Sequence, residues 1–191
     1  MQLILASNSP RRRELLAEYG YKFRVEPSLF EERAEGLSAY ETVAYFAQSK
    51  AEEVLARISD ALVLGADTVV VLDGEILGKP KDGADAVRML KLLSGRAHSV
   101  LTGVCVAKTG YVCTKIAETR VIFHDLSDEL IERYVASGSP LDKAGAYGIQ
   151  DGYPLVKSYE GSYTNVVGLP VELVKEMLAE VGGTVYDETG H

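Results

Sequence analysis

Cysteine is scarce in this chain: only Cys105 and Cys113 occur among 191 residues. They flank a turn read at Thr109-Gly110, which points to buried thiols rather than a disulfide framework and fits a reducing, cytoplasmic setting. Long apolar runs are also missing. No stretch approaches the roughly 20 residues that span a bilayer, and the first six residues, Met1 to Ala6, have no basic segment, so no membrane association is expected. Positive charge is in deficit, with 20 Lys and Arg against 28 Asp and Glu and a formal net charge of -8. Such a chain repels a nucleic acid backbone, which is bound mainly by Lys and Arg neutralising phosphates, so no polynucleotide partner is expected. A small anion is not excluded, because a few converging cations hold a triphosphate whatever the global charge. Neither a Gly-x-Ser-x-Gly elbow nor a Gly-x-x-x-x-Gly-Lys-Ser/Thr loop occurs. His98 and His124 have no second His or Cys at metal-ligand spacing, which argues against a zinc enzyme and for structural or surface roles.

What is present is the composition of a globular protein, 47% apolar and 25% charged, at a length that suits one domain. That domain is expected over residues 1–182, with residues 183–191 as a flexible tail.

Local patterns place the elements. Leu3 to Ala6 reads as a strand running into Ser7-Asn8-Ser9-Pro10, where Ser9 suits an N-cap and Pro10 the first helical position. The helix that follows carries Leu15, Leu16 and Tyr19 on one face and stops near Gly20. Lys22 to Val25 alternates as a strand does, and residues 27–36 form an acidic loop. Ser38 with Glu41 is a capping-box pair opening a long helix to about Arg57. Ala61 to Ala66 reads as a buried strand delivering Asp67-Thr68 at its end, with the chain continuing through Leu72 to a hairpin turn at Asp73-Gly74. A helix over Ala84 to Leu93 is capped by Asp82. Two long strands then pair about Thr109-Gly110, and Ser127 caps a helix ending at Gly138. A Gly-rich loop spans Ala144 to Gly152, a hairpin turns at Glu160-Gly161, and Pro170 starts a terminal helix. Helices alternating with both parallel-compatible and hairpin strands indicate an α/β (mixed α+β) fold, a mixed twisted sheet flanked by helices.

Several groups could carry chemistry. Ser7 to Arg12 is a strand-to-helix turn that offers backbone N–H groups, a helix dipole and two arginines to an anion; a capped surface helix reads the same way. Asp67, close to the end of a buried run, needs a metal, a cation or donors, unless it merely serves a turn. Glu31 and Glu32 could add a second carboxylate for Mg²⁺ or Mn²⁺, or be a solvated charge run. Lys50 and Lys79 could reach phosphates, though most lysines simply face water. The stretch Asp142 to Gln150 could bring backbone and the Gln150 amide against a base, or be a tight structural loop.

Taken together, Leu5 to Arg12, Gly65-Ala66-Asp67-Thr68-Val69-Val70, Gly78-Lys79-Pro80, Ser94-Gly95-Arg96-Ala97-His98, Asp142 to Gln150 and Val167-Gly168-Leu169-Pro170 resemble the Maf family of nucleotide pyrophosphatases. The resemblance runs from about residue 3 to 178. It implies a fold similar to inosine triphosphate pyrophosphatases with a cleft between two lobes, and hydrolysis of a nucleoside triphosphate to monophosphate and pyrophosphate with a divalent cation. It further implies Asp67 as proton acceptor, Ser9, Arg12, Lys50 and Lys79 on the phosphates, and Glu32 with Asp67 on the metal. Arg11, Thr68 and Gln150 match the residues of the branch acting on dTTP and UTP. Asp151 departs from the Gly that the family usually carries after the Gln. A homodimer, and a link to septum formation through regulation rather than turnover, are implied by resemblance alone.

Overall fold

The computed structural model describes residues 1–33 and 35–182; the tail expected over 183–191 lies outside them. Strands β1 (Gln2–Leu5), β2 (Phe23–Val25), β3 (Ala61–Leu72), β4 (Glu75–Leu77), β5 (Ala97–Lys108), β6 (Tyr111–Phe123) and β7 (Val156–Glu160) build one mixed sheet. Helices α1 (Pro10–Glu18), α2 (Ala39–Arg57), α3 (Gly83–Leu93), α4 (Asp128–Ala136), α5 (Tyr163–Val167) and α6 (Val171–Glu180) flank it. The order is β2-β1-β3-β5-β6-β7, parallel at β2-β1-β3 and antiparallel from β3 onward, with β4 as a short antiparallel partner of β3. The fold is therefore the mixed α/β architecture that the pattern of runs and caps predicts.

Capping chemistry starts the helices where the sequence places them. Ser9 caps α1 with Pro10 at its first position, Ser38 and Glu41 complete a reciprocal capping box on α2, and Asp82 and Ser127 cap α3 and α4. The Asp73-Gly74 turn is a tight hairpin with both residues at positive φ, 51° and 83°, as a two-residue turn joining twisted strands requires. Cys105 and Cys113 are free thiols on β5 and β6.

Three expectations need correction. Asp67 lies in the middle of β3 rather than at its end, because the strand runs unbroken for 12 residues while its neighbours change. Glu160-Gly161 is not a hairpin: β7 ends there and Ser162 caps the short helix α5 instead. Tyr19 is exposed, and Tyr21, beyond the helix, fills the place beside Leu15 and Leu16.

Alternation along β3 divides the core. Leu62, Leu64 and Ala66 face α1 and α6, together with Leu15, Leu16, Val174 and Met177. Ala61 and Val63 face the opposite side, against Ala47, Ala51 and Val54 of α2. Farther along, Val70 and Leu72 join a separate cluster with α3, α4, Phe123 and Tyr147. One strand thus runs through two lobes, and Asp67 and Thr68 fall at the change-over.

Two glycines set the height of α2 above the sheet. A Cβ at Gly65 would lie 2.2 Å from the Ala47 carbonyl oxygen, and one at Gly103 would lie 2.1 Å from that of Val43. Both lie on the face that α2 covers, so the helix backbone rests almost directly on β3 and β5. In the second lobe, His98 is buried between Phe123 and Tyr147, and its Nε2 is 2.8 Å from the Tyr147 hydroxyl. Burial pulls the imidazole down to about 4, so it is neutral in the fold.

Gly103→Ala should destabilise the protein by about 3 kcal/mol, since the obstructing atom is helix backbone and cannot rotate away. An unchanged denaturation midpoint would show that α2 retreats without cost. His98 has a folded pKa below its unfolded value, so its contribution to stability is complete above pH 6.5 and is lost as pH falls toward 4. Wild type should lose on the order of 3 kcal/mol more than His98→Gln across that interval, measured by urea denaturation at each pH.

Candidate active site

The break in the sheet produces the site. β1 accompanies β3 only as far as Leu64, and β4 joins the same edge only from Val70. Between them the edge of β3 has no strand partner on that side, while β5 pairs with it throughout on the other. Backbone groups left open at such an edge must find other partners. Arg12 provides one: its Nη1 donates to the Ala66 carbonyl at 2.9 Å. The same guanidinium reaches Gly168 O at 2.8 Å, Thr68 Oγ1 at 3.0 Å and Ser7 Oγ at 3.3 Å, binding α1 to the strand edge and to the end of α5. Thr68 Oγ1 also lies 2.9 Å from Thr102 Oγ1 on β5.

Around this break opens a cleft of about 670 Å³, a volume that suits a small ligand. Ser9, Arg11, Arg12, Glu32, Lys50, Asp67, Thr68, Lys79 and Gln150 all line it. The structure therefore brings these nine residues to one place, whereas Glu31, weighed beside Glu32 as a metal carboxylate, does not line the cleft and pairs with Arg33 instead. Phe30 and Phe46 form an adjoining wall, with ring centroids 6.0 Å apart.

Asp67 is 7% exposed and points to the α2 side. Because Gly65 and Gly103 let α2 sit low, Lys50 on its inner face reaches Asp67 Oδ1 at 2.8 Å. The same ammonium stands 2.7 Å from Glu32 Oε1, so one cation bridges two carboxylates. Burial raises the Asp67 carboxyl above the usual range, opposed by Lys50 and then Arg12, while Glu32 pushes it up further. Burial likewise lowers Arg12, opposed by the field of Asp67. A carboxylate with raised proton affinity, aimed into a cleft beside cations, is suited to taking a proton.

Glu32 arrives on a loop with its own anchorage. Glu53 Oε2 on α2 accepts from Ser28 Oγ and Leu29 N, both at 2.9 Å. Arg57, next along the helix, donates to Glu53, Glu26 and the Pro27 carbonyl. Across the cleft, Arg11 pairs with Asp142 at 2.8 Å. Lys79 is exposed at the rim and makes no hydrogen bond or ion pair among the described residues. The Gly-rich loop joins this rim through a 3.0 Å bond from Gly145 N to Gly78 O.

Sequence reasoning did not single out Ser7 as a partner of Arg12, Thr102 beneath Thr68, or the aromatic wall. Ser7 stands in the first motif and was open to notice. Thr102 becomes visible only once β5 is known to pair with β3 in this register. Among the described residues no three His, Cys, Asp or Glu cluster as a metal-binding group, and no helix is long and apolar enough to cross a membrane.

A family model described as Maf-like protein matches residues 2–181. A protein of Moorella thermoacetica named dTTP/UTP pyrophosphatase is 52% identical over 189 residues, covering 97% of each chain. Proteins of the same name from Dictyoglomus turgidum and Thermococcus gammatolerans are 49% and 50% identical, covering 95% and 94% of this chain and 96% of their own. With so nearly complete a match on top of one cleft lined by residues of five of the six motifs, the block Ser94 to His98 lying outside it, the chain belongs to the Maf-like protein family.

Proposed function

We propose that this chain hydrolyses dTTP and UTP between the α and β phosphates, releasing the nucleoside monophosphate and pyrophosphate. The observation that carries the reading is the Asp67 carboxylate, buried at the sheet break and held between Lys50 and Arg12 inside the cleft. The names of the relatives support the substrate class.

In this reading Asp67 accepts the proton of the attacking water, for which burial has raised its affinity. Lys50, Lys79 and Arg12 hold the phosphates and offset the charge that develops on the departing pyrophosphate. Lys79, lacking a protein partner, is available to substrate without first breaking a contact, while Arg12 contributes its charge and its remaining N–H. Ser9 keeps the α1 entry in shape through its bond from Arg12 N. Arg11, Thr68 and Gln150 surround the nucleoside end and provide the polar edges that select the base.

Glu32 and Asp67 fit a divalent cation shared with substrate. Mg²⁺ is normally held by one or two carboxylates, with phosphate oxygens and water completing its shell, and these two carboxylates already converge on a single ammonium. When bound, such a cation supplies neutralisation of phosphate charge and lowers the pKa of water. The protein's own part is to place the two carboxylates and to keep the base oriented. No nucleic acid or membrane partner enters this reading, and the reaction takes place in the cytoplasm.

Incubation of the protein with dTTP or UTP and Mg²⁺ or Mn²⁺ should give pyrophosphate and monophosphate in equal amounts, resolved by chromatography. Orthophosphate as the first product would overturn the assignment. Asp67→Asn should lower kcat by about 10²- to 10⁴-fold while keeping a cooperative melt and nucleotide affinity. Undiminished turnover in that variant would remove Asp67 from the role given to it.

A further inference from the structure

Below the Gly-rich loop runs a chain of alternating charge. Arg11 donates to Asp142 Oδ2 at 2.8 Å and to the Asp142 carbonyl at 3.2 Å. Lys143 Nζ donates to Asp142 Oδ1 at 3.0 Å and stands 3.5 Å from Asp151 Oδ2. Asp151 Oδ2 accepts from the Tyr134 hydroxyl at 2.6 Å and from Ser139 Oγ at 2.7 Å. The Tyr134 hydroxyl in turn accepts from the Gly148 N–H at 2.9 Å, which closes the chain on the backbone two residues before Gln150.

We propose that Asp151 is a positioning residue that sets base discrimination by fixing the backbone of the loop carrying Gln150. This assignment rests on the hydrolysis of dTTP and UTP set out above. Gln150 makes no side-chain hydrogen bond among the described residues, so its direction is inherited from its backbone. That backbone is unusually determined. Gly145 and Ala146 are both left-handed, at φ 68° and 59°, and a Cβ at Gly148 would lie 2.8 Å from both Asp151 carboxylate oxygens. An alanine in that conformation persists only where its surroundings hold it.

Burial makes the network consequential. The Lys143 and Asp151 side chains are only 10% and 16% exposed, and Tyr134 is fully buried. Removing one partner of such a group leaves the others without their acceptor in a poorly solvated place. Burial, and then the bond to Asp151, push the Tyr134 hydroxyl far up, so it stays a donor. Asp142 is partly buried, yet the bonds from Arg11 and Lys143 hold its carboxyl below the usual range, so the alternation of charge persists at neutral pH. The far end of the chain is Arg11, which lines the same cleft. Asp151 thereby connects two residues that surround the nucleoside without touching it.

The test compares Asp151→Asn and Tyr134→Phe with wild type. The first readout is the ratio of kcat/KM for dTTP over dCTP, which a merely structural defect would leave unchanged because it lowers both rates alike. The second is hydrogen exchange of the amides from 144 to 150 in the free protein, which does not depend on turnover. Each variant should lower the ratio about tenfold and speed exchange at Gly148, and the double variant should lose no more than either alone. Folded variants with the wild-type ratio and unaltered Gly148 exchange would overturn the role of Asp151. Tyr134→Phe keeps the question answerable should Asp151→Asn not fold. Wild type that cleaves neither nucleotide would instead overturn the functional reading, and the exchange measurement would still decide whether Asp151 fixes the loop.

Discussion

A carboxylate withdrawn from water has to be answered by positive charge, and the placement of Asp67 dictates most of what surrounds it. The answer comes from two directions. Lys50 descends from α2 on one face of the sheet, and the field of Arg12 reaches across from α1 on the other. Neither would arrive without a backbone concession. Gly65 and Gly103 lower α2 until an ammonium on its inner face meets the strand, and the early end of β1 leaves the Ala66 carbonyl open for the guanidinium. Sheet topology, two missing side chains and one ion pair are therefore parts of a single arrangement.

The same arrangement divides the labour between rigid and irregular structure. Asp67 lies on a strand paired to β5 from Val63 to Val71, so its position is set by a ladder of backbone bonds. Asp142 and Gln150 lie where the chain turns sharply and side-chain charges replace the ladder. In the proposed reading the proton acceptor has the first kind of support and the loop that reads the base the second, where small changes of backbone alter recognition.

Much of the fold was legible in the sequence because its signals are local. Ser9-Pro10, Ser38 with Glu41, Asp82 and Asp73-Gly74 each specify a cap or a turn within a few residues, and each sits where expected. The errors are equally informative. An acidic residue inside an apolar run reads as the end of a strand, but the strand of Asp67 continues because its pairing with β5 outweighs one carboxylate that Lys50 compensates. Glu160-Gly161 has the composition of a hairpin, and only the capping of α5 by Ser162 shows the chain turning into a helix. In the cleft, residues within compact motifs could be named beforehand. The bond of Thr68 to Thr102 and the chain from Arg11 to Gly148 could not, since they depend on contacts between segments far apart in sequence.

The acidic loop has a mechanical side as well. Its stem is fastened through Ser28 and Leu29 to Glu53, which Arg57 braces, and both belong to the helix that presents Lys50. Lys50 and Glu32 therefore ride on one body, whereas Asp67 belongs to the sheet beneath. A slide of that helix along the strands would part the ammonium from Asp67 and leave its grip on Glu32 intact. The two carboxylates would then separate as if on opposite jaws, with Gly65 and Gly103 as the track.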